Sequence, residues 1–193
     1  MAIAERLTRA RCCAVIVLGS AALLLSAEPA HSQSTHQLAN QSYTNTRYRY
    51  TLSYRGTLTG DHTDPSLDIL SIIIDPKAEP IHVCAADNLG QWTSAQLFEE
   101  WKRKAPSSRF DEFPCGDYPS YARLATSTIT IGGRGAYQVV SFRGPFETVC
   151  SYLATAKTLL GICLPPENPA KAPSWPTHLN EFNDILASVK ILE

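Results

Sequence analysis

The stretch that most constrains this chain is AYQVVSFRGPFETVCSYLATAKTLLGICLPP, running from Ala136 into the Pro165-Pro166 pair. It reads as three consecutive strands, Ala136 to Arg143, Thr148 to Thr155 and Thr158 to Leu164. These segments are rich in Val, Leu, Tyr, Phe and Cys, and Gly144-Pro145 breaks the first from the second. If Ala156-Lys157 is a two-residue hairpin loop, the pairing of the last two strands follows residue by residue. Leu153 then faces Leu160, Ser151 faces Ile162 and Val149 faces Leu164, a set that reads as core. On the other face Ala154 meets Leu159, Tyr152 lies across from Gly161, and Cys150 falls opposite Cys163. Opposed residues in an antiparallel pair approach to roughly 4.5–5.5 Å between Cα atoms, which a disulfide can span.

The first residues set the compartment. Arg6, Arg9 and Arg11 precede an apolar run from Ala14 to Leu25, and Ala30-His31-Ser32 has the small-x-small form of a cleavage site. Residues 1–32 therefore read as a secretory signal, with cleavage after Ser32 or nearby. The apolar run is shorter than the roughly 20 residues of a membrane span, so no stable membrane insertion is expected after cleavage. Cys12 and Cys13 precede that run, where no lipid-modified cysteine would sit. Residues 33–42 are polar and unpatterned and read as a flexible leader, with His36 inside it. Residues 43–193 are expected to form a single domain, periplasmic or secreted.

Cys84, Cys115, Cys150 and Cys163 remain after cleavage, an even number in an exported chain, and point to disulfides. Three connectivities are open. The strand register selects Cys150 with Cys163 and leaves Cys84 for Cys115. A zinc site would need closely spaced ligand pairs such as C-x2-C, which the sequence lacks. Nucleic acid is not an expected partner, because the formal net charge is −1 and the densest basic cluster, Lys102-Arg103-Lys104, ends a predicted helix.

Tyr48, Tyr50, Leu52 and Tyr54 alternate with Arg49, Thr51 and Ser53 as in a half-buried strand, whose aromatic face reads as core. Gly56 to Pro65 reads as a loop by its Gly, Asp and Pro content. Asp61, His62, Asp64 and Asp68 form a tight set of hard ligands, so a cation site is the alternative to ordinary turn formers; their spacing departs from the calcium-loop pattern. Leu67 to Ile74 is apolar enough to suggest burial on both faces, and Pro80 to Cys84 is a short further strand. Thr93 opens a helix as N-cap with Gln96 completing a capping box; Leu97, Phe98 and Trp101 form its apolar stripe, and Pro106 ends it. Pro106 to Tyr121 is irregular, and a bridge from Cys84 to Cys115 would pin it.

Ser127 to Ile131 is a strand, and Gly132 to Gly135 is a hairpin turn, not a phosphate cradle, because no helix follows it. Pro165 to Pro176 holds five of the thirteen prolines and reads as an irregular crossing loop. Thr177 is expected to cap a last helix with Leu179, Phe182, Ile185 and Leu186 on its apolar face. Val189, Ile191 and Leu192 then form a short extended piece.

No nucleophile elbow, metalloprotease motif, phosphate loop or C-x-x-C occurs, and no catalytic residue is assigned. His82-Val83-Cys84 followed by Pro114-Cys115 lacks the glutamate and second cysteine of a zinc deaminase. An enzyme using His62 or His82 with nearby acids, such as a hydrolase, remains an alternative.

Several stretches together resemble the PsbP-like family, which is named after an extrinsic photosystem II protein and shares its fold with a Ran-binding nuclear protein family. They are Tyr43-Thr44-Asn45 with Tyr50-Thr51-Leu52-Ser53-Tyr54, the Ser94 to Trp101 helix, Ile129 through Tyr137, and Phe182 through Leu192. The resemblance spans about Tyr43 to Leu192. It implies an α+β fold, a twisted antiparallel sheet of about six strands with helices packed on both faces. It also implies a protein that binds an envelope protein or small ligand, or assists an assembly, without catalysis or a cofactor. The chain departs from the family in its four cysteines and in Tyr54-Arg55, where Tyr-Pro is usual.

Overall fold

The computed structural model describes residues 39–61, 67–104 and 123–192. In chain order the elements are β1 (Gln41–Asn45), β2 (Tyr50–Tyr54), β3 (Thr57–Asp61), β4 (Leu67–Ile73), β5 (Ile81–Asp87), α1 (Ser94–Lys104), β6 (Arg123–Ile131), β7 (Arg134–Arg143), β8 (Phe146–Ala154), β9 (Thr158–Glu167), α2 (Trp175–Ser188) and β10 (Lys190–Ile191). Among the described residues the strands form a 7-stranded sheet in the order β3-β4-β5-β9-β8-β7-β6 and a 3-stranded sheet in the order β1-β2-β10. Every pairing is antiparallel.

The architecture corrects the expectation of a six-stranded sheet between helical layers. One face of the large sheet carries α1, through Leu97 packed with Leu159, Trp92, Tyr152 and Ala154. The other face carries the small sheet and α2 together: Tyr50, Leu52, Phe182 and Ile185 share one core with Leu70, Ile72, Val83, Leu160 and Ile162. The tyrosine row of β2 is buried as its alternation implies, but it belongs to the second sheet. That sheet exists because β1 pairs with β2 on one side and Ile191 of β10 pairs with Tyr50 on the other.

The β8–β9 register is the one read from the sequence: Cys150 opposes Cys163, Tyr152 opposes Gly161 and Leu153 opposes Leu160. Strand β9 is central, and Thr158 to Pro165 are buried on both faces. Other boundaries differ for local reasons. Gln41 and Ser42, taken as leader, are the start of β1. Thr57 to Asp61, taken as loop, form β3 by pairing along β4. β4 is buried on one face only, at Asp68, Leu70 and Ile72, because α1 lies over β7 and β8 and leaves the outer side of β4 half-buried. β9 continues through Pro165 and Pro166: its ladder with β5 stops at Cys163, and an irregularity in β8 lets Glu167 meet Glu147, so the prolines remove no β5 bond. α2 starts at Trp175 instead of being capped by Thr177; Pro176 lies in its first turn, where a fixed φ suits helix entry.

Residues 1–38, 62–66 and 105–122 lie outside the described residues, and with them the expected signal, most of the leader, His62, Asp64, Pro106 to Tyr121 and Cys115. Among the described residues no helix is long and apolar enough to cross a membrane.

Candidate functional site

The turn after β5 builds one wall of a cleft. Asn88 is only 5 % exposed, and its side chain binds three backbone groups. Its amide donates to the carbonyls of Trp92 at 2.8 Å and Thr155 at 2.7 Å, and its Oδ1 accepts from Trp92 N–H at 2.9 Å. The Asn88 N–H also reaches the Lys157 carbonyl at 2.8 Å. One buried amide therefore locks the β5–α1 turn to the β8–β9 hairpin, and short polar side chains such as Asn favour such local backbone bonding.

Helix α1 starts from that turn. The Thr93 hydroxyl accepts from Gln96 N–H at 3.2 Å while Gln96 Oε1 accepts from Thr93 N–H at 2.9 Å, the reciprocal capping read from the sequence. Ser94 Oγ accepts from the Ala154 N–H at 3.0 Å, fixing the first turn to β8. One helical turn on, the Phe98 ring stacks on Tyr137 with centroids 4.4 Å apart and planes 4° from parallel.

Between the α1 start, the β6–β7 hairpin and the β8–β9 hairpin lies an open cleft of about 940 Å³. Trp92, Tyr137, Thr128, Arg134 and Lys157 are among the side chains that line it, and among the described residues no carboxylate does. Leu89, in the turn that Asn88 braces, is 89 % exposed. Aromatic faces, hydroxyls and the Lys157 ammonium held on braced backbone suit a ligand with apolar and acidic parts. A second cavity of about 690 Å³ lies beside Arg55. There Arg55 pairs with Glu181 at 2.8 Å and Asp184 at 2.7 Å, so its charge is answered within the fold.

Of the residues singled out from the sequence, Asp68, His82, Cys84, Cys150 and Cys163 lie among the described residues with their side chains. Asp68 is buried on the inner face of β4, where its carboxylate accepts from Tyr50 and Asn45, each at 2.7 Å, and from Tyr43 at 3.1 Å. These donors come from the small sheet, so Asp68 joins the two sheets. Among the described residues no group of three His, Cys, Asp or Glu side chains is placed to hold a metal ion.

His82 on β5 lies 3.1 Å from the Ser71 hydroxyl through Nδ1. Burial lowers the His82 pKa below 6.5, with Glu79 acting weakly the other way, so the ring stands neutral near pH 7. Its cross-strand neighbours are Ser71 and Cys163. His178 is buried in the first turns of α2 with Nδ1 3.1 Å from Glu167, a contact that fastens α2 to the end of β9.

Cys150 and Cys163 form a disulfide across the β8–β9 pair, with Cα atoms 4.1 Å apart. Cys84 is also disulfide-bonded, and Cys115 lies outside the described residues. Trp92, Tyr137, Lys157 and Asn88 were not selected from the sequence. The Asn88-Leu89-Gly90-Gln91-Trp92 turn was the available signal.

The two antiparallel sheets and two helices define a sheet-rich α+β fold. No protein-family model matches the chain, and no curated protein sequence matches it. The cyanobacterial PsbP (CyanoP) solution structure from Synechocystis sp. PCC 6803 is similar at 15% identity and a TM-score of 0.55, covering 82% of this chain and 95% of that one. The chain thus shares the fold of that protein. A crystal structure from Bacteroides thetaiotaomicron VPI-5482 aligns at 7% identity and a TM-score of 0.45, covering 79% and 48% of the two chains. LpqN of Mycobacterium tuberculosis, described as involved in cell envelope biogenesis, aligns at 13% identity and 0.42, covering 83% and 88%.

Proposed function

We propose that this chain is an exported binding or accessory domain of the bacterial envelope that acts without catalysis, holding its partner in the cleft between α1 and the two hairpins. The observation that carries this reading is the cleft itself: Trp92 and Tyr137 beside Lys157, on backbone locked by Asn88, with no acidic side chain among the described lining residues. The charged start and apolar run of residues 1–32 support export, and the fold shared with CyanoP supports a scaffold built for display. The partner is an envelope protein or small ligand that presents an apolar group next to a carboxylate.

The test compares wild type with Tyr137→Ala and Lys157→Glu as bait in envelope extract, with quantitative mass spectrometry. A protein or ligand retained by wild type should be lost from both variants while circular dichroism shows both folded. Equal retention by all three baits removes the cleft as the binding site.

A further inference from the structure

We propose that β6 is an interface strand, pairing antiparallel with β6 of a second copy of this chain about a two-fold axis through Ser127. Ile131 opposes Arg134 across Gly132-Gly133, whose φ values of 56° and 76° are those of a type I′ two-residue hairpin. In such a hairpin the closing pair exchanges both of its hydrogen bonds, and the pattern alternates outward. Ile131, Ile129, Ser127 and Ala125 therefore bond to β7. Thr130, Thr128, Thr126 and Leu124 turn their N–H and C=O groups to the free edge.

Among the described residues β6 pairs with β7 alone. It is nine residues long, RLATSTITI, and Ala125 to Thr128 and Thr130 are exposed. From Leu124 to Ile131 it contains no charge, no proline and no register shift along β7. Exposed edges ordinarily carry such devices to prevent strand addition. An edge this regular and neutral selects another strand by its backbone.

A second copy of β6, centred on the strand's midpoint Ser127, fits that edge. An axis through Ser127 sets Thr126 opposite Thr128 and Leu124 opposite Thr130, so every outward-bonding residue meets another outward-bonding residue. Thr opposite Thr is a favourable cross-strand pair. On the inner face Ala125 falls opposite Ile129, whose half-buried side chain already packs on the main core, so the joined sheet extends that core. Arg123 falls opposite Ile131, and no like charges meet. A self-complementary patch is what a two-fold interface requires.

Sedimentation of the secreted chain over a concentration series tests this directly. Wild type should approach twice the monomer mass, and Thr128→Pro, which removes an outward N–H and no β7 bond, should remain at monomer mass. Ser127 is exposed and faces itself across the axis, so Ser127→Lys and Ser127→Glu should each be monomeric alone and should dimerise when mixed. A wild type that stays monomeric overturns the proposal, as does a Ser127→Lys variant that dimerises like wild type or a charge-swap mixture that does not. The Ser127 variants keep the test decisive should Thr128→Pro fail to fold.

Discussion

The Tyr50 hydroxyl donates a 2.7 Å hydrogen bond to Oδ2 of Asp68, and both groups are buried between the two sheets. Burial first, then the carboxylate beside it, raises the Tyr50 pKa, so the phenol stays a donor. Asn45 donates to the same oxygen at 2.7 Å and, through Oδ1, accepts from Tyr48 N–H at 2.8 Å. A single carboxylate therefore sets where the β1–β2 hairpin sits on β4. Asp68→Ala leaves the buried Tyr50 hydroxyl without its acceptor and takes one of two from Asn45, which also donates to the Tyr43 hydroxyl, and should lower stability by about 3 kcal/mol. Asp68→Asn, which keeps one acceptor oxygen, should cost less. Urea unfolding of the three proteins checks the order, and equal midpoints would remove Asp68 as the joint.

The Cys150–Cys163 bridge closes a loop with a sequence separation of 13 around the β8–β9 hairpin. Cross-linking a loop of that size restricts the unfolded chain, a gain of about 3 kcal/mol in the loop-entropy account. Replacing both cysteines by serine should lower stability by about that amount. The fold should be retained, because Leu153–Leu160, Ser151–Ile162 and Val149–Leu164 hold the same register. A loss below about 1 kcal/mol would mean the unfolded hairpin is already restricted without the bridge.

What could be read from the sequence divides along physical lines. The β8–β9 register was legible because a two-residue loop determines every pair beyond it and each face then has to make chemical sense. The α1 cap was legible because Thr93 and Gln96 act within one turn. β1 and β3 were not, because Gln-Ser-Tyr-Thr-Asn and Thr-Leu-Thr-Gly-Asp carry no apolar run, and their extended form comes from pairing with β2 and β4. The continuation of β9 through Pro165-Pro166 depends on where its neighbour β5 ends, which no local rule contains. The cleft is least legible of all: its walls come from residues 91–95, 128–137 and 154–157, brought together by sheet order.

His82 predicts a pH dependence. Its pKa is below 6.5 in the folded chain because burial disfavours the charged ring. As pH falls below 6.5 the unfolded chain takes up a proton that the folded chain does not, so stability falls with it; above 6.5 both states are neutral and the contribution is level. The urea midpoint of wild type should therefore drop as pH falls below about 6.5, and His82→Gln should flatten that slope. Identical slopes would mean the ring titrates as in water. Ser71→Ala, measured alongside, removes the 3.1 Å partner and should leave ligand retention unchanged if His82 is a structural residue.

The two glycines of the β6–β7 turn make an internal comparison. Both have positive φ, 56° at Gly132 and 76° at Gly133, so any L-residue there is strained. Their surroundings differ. A Cβ on Gly133 would meet nothing within 4 Å, whereas one on Gly132 would lie 3.1 Å from Ile191 Cγ1 and 3.4 Å from the Val189 carbonyl oxygen. Gly132 is thus where the large sheet touches the chain end that forms β10. Gly133→Ala should cost about 1–2 kcal/mol from backbone strain alone, and Gly133→Asn less, since Asn tolerates that conformation. Gly132→Ala should cost more than Gly133→Ala, because it must also displace Ile191, and amide exchange in β2 should quicken as β10 loosens from Tyr50 and Thr51. Equal losses at the two positions, with β2 exchange unchanged, would show that β10 is not held by this contact.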